Sequence, residues 1–213
     1  MPIYKLIDEL IFPPVGGAEE GIVAVGGDLS SERLMLAYRS GIFPWYNEDE
    51  PIVWWSPDPR FVLFPEKLHV SRSMKRVLNR DEFQVTYNQD FEGVISNCKK
   101  VPRRGQKGTW ITEAMKEAYI DLFHLGHAKS IEVWKKGELV GGMYGVDMGG
   151  VFCGESMFSK VSNASKVGLI TFMKKFQTEG GRLLDCQVYS EHMARMGAEE
   201  ISRKDFLMFV ETA

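Results

Sequence analysis

The sequence is short of cysteines, long apolar runs and phosphate-binding loops, and each shortage excludes a class of protein. Its three cysteines, Cys98, Cys153 and Cys186, show no CxxC spacing, so neither a disulfide framework nor a structural zinc site is expected. No apolar stretch approaches the roughly 18 residues that a membrane span needs. The first residues also lack the cleavage site of a signal peptide. We therefore expect a cytoplasmic protein with no membrane association.

Loops that bind phosphate-bearing cofactors are also missing. Neither GxxxxGK followed by Ser or Thr nor GxGxxG after a strand occurs, so neither ATP nor a dinucleotide is indicated. The loop with which acetyl-CoA enzymes usually open their central helix is absent too; its nearest match, 177–182, falls at a helix end. His124 and His127 are three residues apart, but a helix-ending glycine separates them and no third ligand lies nearby, so no metal site is expected. Ser156 lacks the second glycine of a nucleophile elbow, which makes it a weak candidate nucleophile.

Charge is unevenly distributed along a chain that is otherwise ordinary. The 213 residues carry a net charge of −3, with 44% hydrophobic and 26% charged residues, as in folded globular proteins. Between Lys67 and Lys107, however, ten basic residues face only four acidic ones. Such a segment is either a solvated surface or a local patch for an anionic partner, and charge alone leaves both readings open.

Hydrophobic periodicity predicts an α+β protein. Apolar residues alternate with polar ones in three successive segments, which predicts an antiparallel meander, and a helix, a buried strand and further helices follow. The predicted strands cover 129–134, 138–146, 150–157 and 182–188, with a helix after Ser162 or Asn163. This order is that of the second half of a GCN5-related acetyltransferase domain. We expect a small N-terminal domain over 1–60 and an acetyltransferase-like domain with a mainly antiparallel sheet over 61–213.

Aromatic residues and prolines crowd the segment 43–64, which has few strand signals. It holds seven aromatic residues interleaved with four prolines, so a regular helix is excluded and an extended loop is predicted. Clustered tryptophans of this kind form either a core plug or a flat binding platform. The sequence leaves both readings open.

Three polar residues interrupt otherwise apolar strands. Glu155 lies in Val-Phe-Cys-Gly-Glu-Ser-Met-Phe, and Asp185 and Gln187 lie two apart, on the same side of one strand. A buried carboxylate or amide is costly unless it is partnered. The three residues therefore form either an internal hydrogen-bond network or a cluster that orients an amine and its proton in a dry cleft.

Seven short motifs occur together in a fixed order. They are Gly-Gly-Asp-Leu (26–29), Gly-Ile-Phe-Pro-Trp (41–45), Trp-Trp-Ser-Pro-Asp-Pro-Arg (54–60), His-Val-Ser-Arg-Ser (69–73), Gly-Thr-Trp-Ile-Thr (108–112), Gly-Glu-Ser-Met-Phe-Ser (154–159) and Asp-Cys-Gln (185–187). The combination closely resembles the leucyl/phenylalanyl-tRNA–protein transferase family over about residues 12–210. Any one of these motifs alone would be only suggestive.

The resemblance implies peptide-bond formation without a ribosome. The expected donor is aminoacyl-tRNA charged with Leu, Phe or Met, bound through its 3′ adenosine and acceptor stem. The expected acceptor is a protein with N-terminal Arg or Lys, which the reaction marks for N-end-rule degradation. Because an ester is already activated, no cofactor is expected, and positioning supplies much of the rate. We also expect a monomer.

The resemblance also implies roles for particular residues. Asp185 and Gln187 form the expected proton relay, with Asp185 supplying basicity, and Glu155 holds an amino group or the acceptor's positive side chain. Residues expected to line the donor pocket and the adenosine site are Trp45, Trp110, Met143, Phe152, Leu169 and Phe176. Residues expected to contact tRNA phosphates are Arg72, Lys75, Arg76, Arg80, Arg103 and Arg104.

Overall fold

The structure, a computed structural model, describes residues 4–101 and 110–212. Within them the helices are α1 (Ser31–Arg39), α2 (Arg72–Asn79), α3 (Phe91–Lys100), α4 (Glu113–His124), α5 (Ala164–Thr178), α6 (Glu191–Arg195) and α7 (Arg203–Glu211). The strands are β1 (Tyr4–Leu6), β2 (Ile22–Gly26), β3 (Phe43–Pro44), β4 (Val53–Trp55), β5 (Arg60–Leu63), β6 (Gln84–Tyr87), β7 (Ala128–Lys135), β8 (Glu138–Asp147), β9 (Val151–Ser159), β10 (Leu183–Gln187) and β11 (Glu199–Ile201).

The strands form two sheets. The small sheet has the order β1-β2-β4-β3 and is antiparallel apart from the β1–β2 pair. The large sheet has the order β11-β5-β10-β9-β8-β7-β6, and only β9 and β10 run parallel in it. The predicted α+β class with a mainly antiparallel sheet is confirmed, and β7, β8, β9 and β10 follow their predicted ranges closely.

The segment predicted as an extended loop contains three strands instead. Phe43 pairs with Trp55 in the small sheet, and Val62 in β5 pairs with Asp185 in the large one. The loop prediction is wrong there because proline hides the local strand signal, and because β5 is completed only by β10 and β11, far along the chain.

Helix starts follow the capping signals at most positions. The side chains of Ser30, Ser71 and Thr112 each accept a hydrogen bond from a backbone N–H in the first turn of α1, α2 and α4. At α5 the expected side-chain cap is wrong: Asn163 has φ of +71° and its side chain makes no capping bond. Asn163 therefore contributes a left-handed turn that few residue types tolerate.

Two hydrophobic clusters cover the two faces of the large sheet. One face packs against α3, α4, α7 and the small sheet, and includes the fully buried Trp54 and Phe206. The other packs against α2 and α5, and includes Ile131, Leu169 and Met173. Trp54 is thus a core residue, whereas Trp45, nine positions earlier, is only half-buried. The aromatic run supplies both core and surface.

Candidate active site

A cavity of about 380 Å³ opens beside the parallel strands β9 and β10. Its wall combines aromatic, apolar and polar side chains. The lining residues are Phe43, Pro44, Trp45, Trp110, Met143, Gly154, Glu155, Ser156, Met157, Leu184, Asp185, Cys186, Gln187, Val188, Ser190, His192 and Met193. The three polar residues predicted from the strands, Glu155, Asp185 and Gln187, all lie at this one cavity.

Glu155 is buried, and its carboxylate accepts three side-chain hydrogen bonds. The hydroxyl of Tyr38 donates to its Oε1 at 2.8 Å, and the hydroxyl of Tyr119 donates to its Oε2 at 3.1 Å. The side-chain amide of Gln187 donates from Nε2 to Oε1 at 2.9 Å. The two tyrosine hydroxyls also contact each other. Helices α1 and α4 thus hold the carboxyl of β9 against the glutamine of β10.

The surroundings of Glu155 favour its protonated form more than water does. Burial, helped by the nearby charge of Asp185, raises the pKa of Glu155 to about 7, although the hydrogen bonds from Tyr38, Tyr119 and Gln187 oppose the rise. No Lys, Arg or His of residues 4–101 and 110–212 forms an ion pair with this carboxylate. Glu155 can therefore gain and lose a proton near neutral pH, as a general base must.

Gln187 reaches Glu155 because of the backbone at the end of β10. The strand is irregular between Asp185 and Gln187, and Gln187 has φ of +63°, in the left-handed region. Its backbone N–H donates to Oδ1 of Asp185 at 2.9 Å. Asp185 therefore holds the unusual turn that carries the glutamine side chain.

Asp185 itself is fully buried and paired with Arg60. The guanidinium of Arg60 donates from Nε to Oδ1 at 2.8 Å and from Nη2 to Oδ2 at 2.6 Å, a two-point contact. Arg60 also donates to the carbonyl of Gly41 at 3.1 Å, and its charge lies 4.8 Å and 4.3 Å from the ring centres of Phe43 and Phe206. Both carboxylate oxygens of Asp185 are therefore already occupied by the guanidinium of Arg60.

Half of the residues expected to line the substrate pocket lie on the cavity wall. Trp45, Trp110 and Met143 do so. Phe152, Leu169 and Phe176 belong to the same hydrophobic cluster as Met143 but do not line this cavity. Phe152 and Phe176 line a second cavity, of about 370 Å³, beside Tyr87 and Lys175. Their role in donor binding stays a prediction.

The basic residues expected to contact tRNA are exposed where the structure describes them. Arg72, Lys75 and Arg76 project from α2, and Arg80 follows its last residue. Arg80 lies 3.9 Å from Glu82, which offsets part of its charge, whereas the other three form no ion pair with a described residue. Arg103 and Arg104 lie outside the described residues.

Three residues at the site were not singled out from sequence. Tyr38 and Tyr119 stand in none of the seven motifs, and Arg60 was noted only as the end of one. Over the described part of the chain, no cluster of three His, Cys, Asp or Glu side chains could hold a metal ion. No α-helix of residues 4–101 and 110–212 is long and apolar enough to cross a membrane.

Comparison with known proteins agrees with the motif order. The family model of the leucyl/phenylalanyl-tRNA protein transferase matches residues 62–211, and that of the transferase's N-terminal domain matches residues 27–58. Curated leucyl/phenylalanyl-tRNA–protein transferases are similar over nearly their whole length. That of Flavobacterium johnsoniae is 56% identical over 99% of this chain and 100% of its own, and that of Myxococcus xanthus is 55% identical over 97% and 90%.

Solved structures resemble the chain only distantly. The structure of L-PGS from Bacillus licheniformis has a TM-score of 0.42 and 13% identity, covering 76% of this chain and 55% of that one. A GCN5-related N-acetyltransferase from Kribbella flavida has a TM-score of 0.36 and 10% identity, covering 79% and 60%.

The matched families are those of aminoacyltransferases, enzymes that pass an aminoacyl group from one carrier to another. Within that class, the chain belongs to the leucyl/phenylalanyl-tRNA–protein transferase family. The motifs read from the sequence therefore identified the correct family.

Proposed function

We propose that this chain transfers Leu or Phe, and also Met, from charged tRNA to the N-terminal Arg or Lys of a protein. The observation that carries the proposal is the buried Glu155, bonded to Gln187 at the wall of a largely apolar cavity. One part of such a site binds an apolar aminoacyl group, and the other binds and deprotonates an amine. We place the reaction in the cytoplasm and assign it to a monomer.

The reaction joins an amine to an ester carbon. The acceptor's α-amine attacks the aminoacyl carbonyl, the new C–N bond forms, and the C–O bond to the ribose breaks. The amine loses a proton and the departing ribose oxygen gains one, so no further reagent is needed. Attack requires the neutral amine, which makes a proton acceptor near neutral pH the central requirement.

Gln187 positions the acceptor amine, and Glu155 accepts its proton. Because Nε2 of Gln187 donates to Glu155, the carbonyl oxygen of the same amide is left to accept from the incoming amine. Glu155 then takes the proton, directly or across the amide contact. Its carboxylate has no cationic partner in the described part of the chain, so a positively charged N-terminus is attracted to it.

Asp185 acts as a positioning residue in this proposal. Its two oxygens are occupied by Arg60 and by the backbone of Gln187. The expectation that Asp185 supplies basicity is therefore replaced by a role in holding the Gln187 turn. Basicity passes to Glu155.

The other side chains of the cavity wall can bind the aminoacyl-tRNA donor. Met143, Met157 and Leu184 give an apolar surface that adapts to unbranched Leu, Phe or Met side chains. Trp45 and Trp110 offer flat faces on which the terminal adenine stacks. The exposed cations of α2 contact acceptor-stem phosphates without reading sequence.

The experiment measures transfer of labelled leucine from Leu-tRNA to short peptides. Peptides with N-terminal Arg and Lys should accept the label, whereas an otherwise identical peptide with N-terminal Glu should not. An Arg peptide whose α-amine is acetylated is the matched control and should also remain unlabelled. Equal labelling of the Arg and Glu peptides would contradict the proposed acceptor, and labelling of none would contradict the proposed reaction.

A further inference from the structure

The segment that follows Gln187 carries an exposed apolar surface beside the cavity. Val188 lines the cavity and is 39% exposed, so it belongs both to the cavity wall and to the outer surface. Tyr189, the next residue, is 63% exposed, and the centre of its ring lies 5.3 Å from that of Phe61. Among the exposed large apolar side chains in the described part of the chain, Val188 alone lines this cavity. A substrate that enters the cavity can therefore reach this surface.

The backbone of the same segment is open to a partner. Residues 188–190 belong to no helix or strand, and Ser190, which also lines the cavity, has an extended backbone with φ of −142° and ψ of 123°. The N–H and the carbonyl of Tyr189 form no hydrogen bond with a described residue. An extended peptide can pair its own main chain with such groups. Residues 188–190 include no Lys or Arg for a phosphate, so a peptide fits this surface better than a nucleic acid does.

The proposed position of the acceptor amine brings the acceptor's second residue to this surface. The side-chain carbonyl of Gln187 accepts a hydrogen bond from the α-amine of the first residue in the proposed function. An extended chain advances about 3.3–3.6 Å per residue. The second residue therefore lies about one residue length beyond Gln187, at the level of Val188 and Tyr189. The base and the aminoacyl side chain of the donor are assigned to other walls, so these two side chains are left for the acceptor.

Resting on the proposed function, we infer that Val188 and Tyr189 form the binding site for the second residue of the acceptor protein and select an apolar side chain there. An apolar second residue covers the valine and the tyrosine ring and removes both surfaces from water. A small polar residue leaves them exposed. The enzyme therefore distinguishes among proteins that all begin with Arg or Lys.

The test compares two acceptor peptides that differ only in their second residue. An Arg-Phe peptide and an otherwise identical Arg-Ser peptide are supplied together, below saturation, to the full chain with labelled Leu-tRNA. Wild type should label the Arg-Phe peptide roughly five- to tenfold faster, as expected for burial of about half a large apolar side chain. Tyr189→Ser should lower this ratio to about twofold or less. Tyr189→Phe keeps the ring and should keep the ratio.

The control is Met208→Ser, because Met208 is an exposed apolar residue on α7 that does not line the cavity, and this variant should keep the wild-type ratio. Both peptides compete in one reaction, so a slower reaction alone leaves the ratio unchanged, and thermal melts check that each variant is folded. A folded Tyr189→Ser variant with the full wild-type ratio would overturn the inference, as would equal labelling of both peptides by wild type. Failure of wild type to label either peptide would instead refute the proposed function, and the inference with it.

Discussion

Neutralising Asp185 should destabilise the fold strongly, because it leaves the Arg60 charge buried without a partner. Asp185 is fully buried and Arg60 is 1% exposed, so water cannot replace the lost carboxylate. Removing one partner of such a pair costs about 3–5 kcal/mol of unfolding free energy. For a chain of this length that lowers Tm by roughly 6–20 °C. Asp185→Asn is the change to make, since it keeps the size of the side chain and its acceptor for the backbone of Gln187.

A second substitution separates stability from chemistry. Adding Arg60→Met to Asp185→Asn removes both charges, so much of the lost stability should return. If Asp185 only positions Gln187, this double variant should keep transfer within about tenfold of wild type. If Asp185 is the base, transfer should stay lower by a factor on the order of 10²–10⁴ although the protein is folded.

The assays are thermal unfolding and single-turnover transfer with the same preparations. Glu199→Gln is the matched stability control, because it breaks the exposed Lys67–Glu199 pair and should change unfolding by about 1 kcal/mol or less. An unchanged Tm for Asp185→Asn would refute the account of the buried pair. A well-folded, inactive double variant would refute the positioning role.

Three further predictions concern pH and tRNA. Transfer should rise with pH and level off above about 7, the pKa of Glu155, while unfolding free energy should fall over the same range, because the folded state holds that proton more tightly than the unfolded chain. Tyr38→Phe removes a bond that lowers the pKa of Glu155, so the rise of activity should move to higher pH. Arg76→Ala with Arg80→Ala should weaken tRNA binding and reduce the salt slope by up to about 2, while sparing transfer from aminoacyl-adenosine.

Each of these three predictions can be contradicted by a specific result. Glu155→Gln should flatten both pH dependences, and a slope that persists in this variant would assign it to another group. An activity profile unmoved by Tyr38→Phe would remove that hydroxyl from the control of Glu155. Equal loss with tRNA and with the minimal donor would show that the cations of α2 act on the reaction rather than on phosphates.

Local patterns predicted the elements whose signal is local. The alternation in 129–157 predicted three strands, and the helix expected after Ser162 or Asn163 begins at Ala164. The strand β5 was missed because its pairing is set by a distant partner, as with Val62 and Asp185, and β3 and β4 were missed within the proline-rich segment. Proline-rich sequence carries little strand preference of its own.

The site was only partly predictable, because only some of its residues have a local signal in the sequence. Glu155, Asp185 and Gln187 stood out as polar residues in apolar strands. Their partners did not, because Arg60 lies 125 positions from Asp185 and a tyrosine on a core-facing helix gives no sign that its hydroxyl is used. The raised pKa of Glu155 depends on burial that only the folded chain creates. The proposed division of roles between the two carboxylates therefore depends on the structure.

The most direct test of the central claim is the single-turnover rate of leucine transfer by Glu155→Gln, with enzyme in excess over Leu-tRNA. The account predicts a fall of 10²–10⁴ relative to wild type with nearly unchanged tRNA binding, the range for a lost acid–base group. Glu138→Gln, an exposed position on β8, should match wild type. A folded Glu155→Gln variant that transfers leucine within threefold of the wild-type rate would contradict the account.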